Sequence, residues 1–338
     1  MTRIGILSFA HHHAEAYVGN LRAIQDVEII GTADDDRARG QEVAARSGLQ
    51  LFTSAEDLLR RRPDGVIVCA ENVRHRALVE MAARAGVHVL CEKPLATALA
   101  DGNAMIDACA RAAVNLMIAF PMRFSAPLLE IKRVLDDGRL GRIFCCNATN
   151  QGQNPRRHRA WFVQRSLAGG GAVTDHTVHL VDALRWLLGS TIEEVYAQTN
   201  EIMPSGGDVE TAGLLSLRFR DGSFAAIDCS WSRPDSYPTW GGLAIELIGE
   251  RGVIAADAFR QTLSRYPEQS PRVQWHYWGS DANQAMIEEF IASIRERRPP
   301  RVTGEDGYRA LEVVVAAYES ARVGQPVRIP AKGQPTDG

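Results

Sequence analysis

Two groups of residues have the types and spacing to handle a hydroxyl proton. The first is Glu92-Lys93-Pro94, directly after the apolar run His88-Val89-Leu90-Cys91. Proline restrains the residue before it to an extended backbone. A lysine held at a strand end can grip a substrate oxygen or shift its own pKa for proton transfer. A solvated loop lysine is the plain alternative. The second group follows Gly169-Gly170-Gly171, where Asp175 and His179 stand four residues apart in a helical pattern. That spacing puts a carboxylate and an imidazole on one helix face, where they can position and deprotonate a hydroxyl. Here the plain alternative is an aspartate on the helix dipole and a satisfied core histidine.

A third group concerns phosphate and ribose. A dinucleotide turn runs Gly-x-Gly-x-x-Gly between a strand and a helix, so that backbone donors at the helix start reach the pyrophosphate. After Gly5-Ile6-Leu7 this chain has Ser8-Phe9-Ala10-His11-His12-His13. Ser8 and Ala10 are small, but His13 takes the third glycine's place. Consecutive side chains point in different directions, so the histidines alone are not expected to hold a metal; one of them could touch a phosphate or the substrate. Asp34, ending the run Gly31-Thr32-Ala33, is placed to accept from the adenosine ribose hydroxyls and repel a 2′-phosphate. This favours NAD over NADP, with Arg37 and Arg39 arguing the other way. Asp35 or Asp36 suits a helix N-cap better.

Those residues need elements to position them. Over the first ~120 residues, apolar runs at Arg3–Ser8, Val27–Ala33, Gly65–Ala70, His88–Cys91 and Asn115–Ala119 alternate with helical patterns. Regular alternation of strand and helix implies a parallel doubly wound sheet. Its ligands bind beyond the carboxyl ends of the strands, which points Ala70, Asn72, His75, Glu92 and Lys93 toward a cofactor crevice. After Pro121 come one more helix, at Pro127–Asp137, and then alternating segments at Ile143–Asn150, Ile192–Glu201, Thr211–Phe219, Ser223–Ser230 and Leu243–Gly249. Turn residues such as Asp221-Gly222 separate them, which suggests an antiparallel sheet. Helices near Asn283–Arg297 and Glu305–Arg322 close the chain.

With 338 residues, 45% hydrophobic and 23% charged, the chain can bury two domain cores. A net charge of −3 gives no reason to expect nucleic acid. No apolar run nears the ~18 residues that span a bilayer, and the short apolar start reads as a first strand rather than a signal segment. The six cysteines lack metal-ligand spacing, and Cys69 and Cys91 each end a strand-like run. A reducing cytoplasm without disulfides is expected.

Taken in order, Asn72-x-x-His75, Ala85-Gly86-x-His88-Val89-Leu90-Cys91-Glu92-Lys93-Pro94-Leu95-Ala96, Arg123-Phe124, Trp161-Phe162, the glycine turn with Asp175-x-x-x-His179-x-x-Asp182, and Gly304-Glu305-Asp306-Gly307-Tyr308 resemble the Gfo/Idh/MocA oxidoreductase family along nearly the whole chain. The resemblance implies an NAD(P)-binding Rossmann domain over residues 1–122. It implies a substrate-binding and oligomerisation α/β domain over 123–330, with a large, mainly antiparallel open sheet; residues 331–338 read as a loose tail. It implies NAD or NADP, a sugar, cyclitol or related polyol as substrate, and a homodimer or homotetramer. Lys93, Asp175 and His179 take the family's catalytic positions. Ser8, Phe9, Ala10, His11, Asp34, Ala70, Asn72, His75, Glu92 and Lys93 are the expected cofactor residues, and Arg123, Trp161 and His176 the expected substrate contacts. Two departures stand out. The phosphate turn lacks the family's glycines, and Thr177 replaces a frequent glycine, which bears on substrate choice. Alternative readings are a member that uses NAD transiently to cleave a glycosidic bond, or a non-catalytic nucleotide-binding sensor. Retention of Lys93, Asp175 and His179 ranks the sensor last.

Overall fold

The computed structural model describes residues 1–265, 274–277 and 279–330; the expected tail at 331–338 lies outside the described residues. The chain divides into two compact units. One comprises residues 1–121, 158–169 and 283–311, and the other 122–157, 170–282 and 312–338.

The first unit is built on β1 (Thr2–Leu7), α1 (His13–Arg22), β2 (Val27–Ala33), α2 (Arg37–Ser47), β3 (Leu51–Phe52), α3 (Ala55–Leu59), β4 (Gly65–Val68), α4 (His75–Arg84), β5 (His88–Cys91), α5 (Leu99–Arg111) and β6 (Leu116–Ile118). The six strands pair in parallel in the order β3-β2-β1-β4-β5-β6. Strand order therefore reverses at β1 and β4, the switch point where such sheets open a crevice. Ile4, Ile6, Val66, Ile67, Val68, Val89 and Leu90 are all fully buried, as continuous apolar strands covered on both faces must be. Asp36 caps α2 by accepting from Arg39 N–H, and Gly48 ends that helix in a left-handed conformation.

Further along come α6 (Ala126–Asp136), β7 (Ile143–Gln151), α7 (Arg165–Ala168), α8 (Ala172–Leu188), β8 (Ile192–Asn200), β9 (Ala212–Phe219), β10 (Phe224–Ser230), β11 (Leu243–Gly249), β12 (Gly252–Asp257), β13 (Thr262–Arg265), β14 (Gln274–Tyr277), α9 (Ala282–Arg295), α10 (Gly304–Val323) and β15 (Val327–Arg328). Seven strands form the second unit's sheet in the order β12-β11-β7-β10-β9-β8-β15. All its pairs are antiparallel except β7 with β10. The long connection through α8, β8 and β9 returns the chain to β7 in the same direction, which a tight hairpin cannot do. Strand β9 shows the expected alternation: Leu215, Leu217 and Phe219 are buried, Leu214 and Arg218 exposed. Strand β12 was not expected, because its residues are exposed or half-buried and carry no apolar alternation.

No helix among the described residues is long and apolar enough to cross a membrane. All six cysteines are free thiols. Five are buried, and Cys145 is half-buried.

Candidate functional site

In the first unit the turn from β1 to α1 is tightly self-bonded. Ser8 takes a positive φ of 71°, a conformation that favours glycine. Its Oγ accepts from Ala10 N–H at 3.1 Å and from Arg39 at 3.2 Å. Phe9 N–H donates to Asp34 Oδ2 at 2.8 Å, His11 N–H to the Cys69 carbonyl at 2.8 Å and His13 N–H to His11 Nδ1 at 3.3 Å. A conventional phosphate turn aims such donors at the ligand; here four of them are turned inward. The segment 158–169 packs on the same turn. Trp161 donates its indole N–H to the Ala10 carbonyl at 2.9 Å and stacks on Phe162. Ala10, Trp161, Phe162 and Ala168 thus form a small core. Asn72 ties this segment to the strand ends, donating to the Ala168 carbonyl at 2.8 Å.

Asp34 stands at the carboxyl end of β2, its side chain fully buried. Besides Phe9 N–H it accepts from Asp36 N–H at 2.9 Å and, in a two-point pair, from Arg39 at 2.6 and 2.9 Å. Arg39 is thereby committed to a carboxylate. A cleft of about 630 Å³ opens beside them, lined by Ser8, Asp34, Asp35, Arg37, Thr53 and Arg74 among others. Its size suits the adenosine half of a dinucleotide, so the residues present fit NAD at that end. At the diphosphate end the turn has inward-bonded backbone donors in place of a glycine loop.

Beyond β4 and β5 the other expected cofactor residues come together. His75 is fully buried, with Nδ1 3.0 Å from the Pro94 carbonyl and Nε2 3.2 Å from the Ala70 carbonyl. It stitches the loop after β4 to the Glu92-Lys93-Pro94 segment, whose Lys93–Pro94 peptide is cis. A neutral imidazole donates to only one of these carbonyls at a time, and burial holds the His75 pKa below its usual value. Glu92 is also fully buried. Its Oε1 accepts from the Tyr17 hydroxyl at 2.6 Å and lies 3.1 Å from His13 Nδ1; its Oε2 accepts from Lys93 N–H at 3.1 Å. Burial opposes the charge, but the cluster of His11, His13 and Lys93 keeps the carboxyl well below its ordinary pKa. Lys93 is 5% exposed.

In the second unit the glycine turn sets the start of α8. A Cβ on Gly171 would stand 1.9 Å from the Glu210 carbonyl oxygen, and one on Gly170 1.9 Å from the Tyr318 hydroxyl. Only glycine fits. Glu210, which the sequence did not single out, accepts from Gly171 N–H at 2.9 Å, Val173 N–H at 3.1 Å and the Tyr318 hydroxyl at 2.8 Å. It caps α8 from a distant loop, satisfying donors that the helix start leaves open. Asp175 and His176 are buried, and His179 is half-buried one turn on. Asp175 Oδ2 accepts from the Trp231 indole at 3.1 Å and lies 3.3 Å from His176 Nε2. His176 Nδ1 has no hydrogen-bond partner among the described residues, so it retains capacity for a ligand. Arg123, expected on the substrate, is locked in a buried two-point pair with Asp182 at 2.6 and 2.8 Å. Thr177 is fully buried with its hydroxyl donating to Cys229 Sγ at 3.2 Å. Two positions past Asp175, it faces the sheet, so the expected bearing on substrate choice gives way to packing.

The comparisons agree with this architecture. The profile of an oxidoreductase family with an NAD-binding Rossmann fold matches residues 3–120, and that of the GFO/IDH/MocA C-terminal domain matches residues 128–255. The chain is 30% identical to a myo-inositol 2-dehydrogenase of Thermotoga maritima, over 97% of this chain and 98% of that one. It is 28% identical to a D-apiose dehydrogenase of Paraburkholderia graminis, over 96% and 88%. Among solved structures, a probable dehydrogenase from Thermotoga maritima superposes with a TM-score of 0.82 at 28% identity, covering 96% of this chain and 98% of that one.

Proposed function

Because the chain belongs to the GFO/IDH/MocA family of oxidoreductases, with an NAD-binding Rossmann domain, we propose that it oxidises a secondary alcohol of a sugar, cyclitol or related polyol. NAD, when bound, supplies the hydride acceptor. Lys93 holds the reacting oxygen and relays its proton. His179 is the general base, and Asp175 positions the substrate hydroxyl. His176, whose Nδ1 is unanswered, contacts the substrate. Asp34 takes the ribose hydroxyls and favours NAD over NADP.

The observation that carries this reading is Lys93, buried at the carboxyl end of β5 in an NAD-binding sheet. The named activities of the inositol and apiose relatives support the substrate class. Exposed Leu214 and Phe224 on the open sheet support self-association as a dimer or tetramer. Lys93→Met should retain the NAD-induced rise in unfolding midpoint and lose about 10²–10⁴-fold in NADH formation across a panel of sugars and cyclitols. Unchanged turnover in that variant would remove Lys93 from the reaction and this reading with it.

A further inference from the structure

The three histidines of the first turn gather instead of diverging. One ring nitrogen from each histidine lies within 4.8 Å of one from each of the other two. His11 and His12 belong to the turn, and only His13 begins α1, so the side-chain fan expected of consecutive residues does not apply. A fourth group joins them from β5. His11 Nδ1 is 3.9 Å and His13 Nδ1 3.1 Å from the same oxygen, Oε1 of Glu92. In a tetrahedral site with bonds of about 2.0–2.1 Å, neighbouring ligand atoms stand roughly 3.3–3.4 Å apart. The His13 distance of 3.1 Å lies close to such an edge, and the His11 distance of 3.9 Å exceeds it.

Two further observations point to a ligand. His11 is 1% exposed, and its Nε2 has no hydrogen-bond partner among the described residues. Rotation of the ring about its Cβ–Cγ bond exchanges the positions of nitrogen and carbon, so either nitrogen can be brought to bear. The Glu92 carboxylate is fully buried and turns one oxygen toward both His11 and His13. The positive end of α1 disfavours a cation here, and Glu92 is the charge that offsets it. His13, with a side chain 22% exposed, gives an entry path.

We propose that His11, His13 and Glu92, completed by His12 or water, bind one divalent ion of the zinc class. An imidazole-rich set with one carboxylate suits zinc, cobalt or nickel better than magnesium or calcium. The site does not depend on the dehydrogenase reading. It is tested on the full chain, stripped with a chelator and titrated with Co²⁺. The visible ligand-field bands should saturate at one ion per chain and disappear on adding Zn²⁺. His13→Gln and Glu92→Gln should each weaken binding about tenfold or more, while His88→Gln, elsewhere in the same unit, should bind as the parent does. A zinc-induced rise in unfolding midpoint, lost in His13→Gln, separates lost binding from lost fold. Absence of saturable Co²⁺ bands in the parent, or parental binding by His13→Gln, would overturn the site.

Discussion

The chain starts two important helices in opposite ways. At α1 the glycines of a dinucleotide turn are missing, and side chains do their work: Asp34, the Ser8 hydroxyl and His11 Nδ1 take the backbone donors. At α8 the glycines are present, and they leave room for a carboxylate and a carbonyl from Glu210 to reach the helix start. Both ends are satisfied by an acid far away in sequence. The difference is where the bulk lies. The first turn fills its own space with imidazole rings, whereas the second gives its space to a distant loop. A helix start can therefore be made specific by what it contains or by what it leaves out.

Three changes probe that contrast, the largest effect coming first. Gly171→Ala drives a methyl group against the Glu210 carbonyl and should destabilise the chain by about 3 kcal/mol. Ser8→Gly in the other turn should be tolerated within about 1 kcal/mol, because relief of its positive φ offsets the lost Oγ contacts. Chemical denaturation of the two variants side by side checks this; equal losses would erase the contrast. Next, Asp34→Asn leaves Arg39 only its longer pairs with Asp35 at 3.4 Å and Glu71 at 3.5 Å and should cost about 2 kcal/mol, discounted for the partial exposure of Arg39. It should also reduce the preference for NAD over NADP, as read from unfolding midpoints with each nucleotide; an unchanged preference would remove Asp34 from the ribose site.

A further small effect is acid sensitivity of the histidine turn. In the unfolded chain His12 takes a proton near 6.5, and in the folded chain only at about 3. Between those values the unfolded state holds more protons, so stability is intact above about pH 6.5 and falls as pH drops through the window. His12 should contribute about 1 kcal/mol of loss by pH 5, after allowing for its partial exposure. His12→Asn should flatten the fall of unfolding midpoint with pH; a parental slope would show that its ring gains protons freely in the folded chain.

Local patterning made much of this legible. The alternation of strands and helices gave the parallel sheet, and the i, i+4 spacing set Asp175 and His179 on one helix. The glycine triplet announced close packing before its partner was known. What stayed hidden depends on contacts between distant positions. Trp161 bonds to Ala10 across 151 residues and Glu210 to Gly171 across 39, and neither has a periodicity to betray it. Arg123 reads as a free cation until Asp182 is seen beside it. Thr177 was misjudged because motif position says nothing of which way a helical residue faces. The gathering of the histidines was hidden for the same reason, since their common neighbour, Glu92, comes from another strand.

The distribution of thiols has one more consequence. Burial raises the pKa of Cys69 and Cys91 far above the usual value, and that of Cys109, Cys146 and Cys229 to about 12. Only the thiolate reacts with alkylating reagents, so in the folded chain these five are silent and Cys145 alone is within reach. Each of the five becomes reactive only when the strand or helix carrying it opens. Cys69 and Cys91 follow β4 and end β5, Cys109 rides on α5, and Cys146 and Cys229 lie in β7 and β10. The rates at which successive alkyl groups appear would time the opening of the nucleotide sheet and of the open sheet separately, with no label added to either.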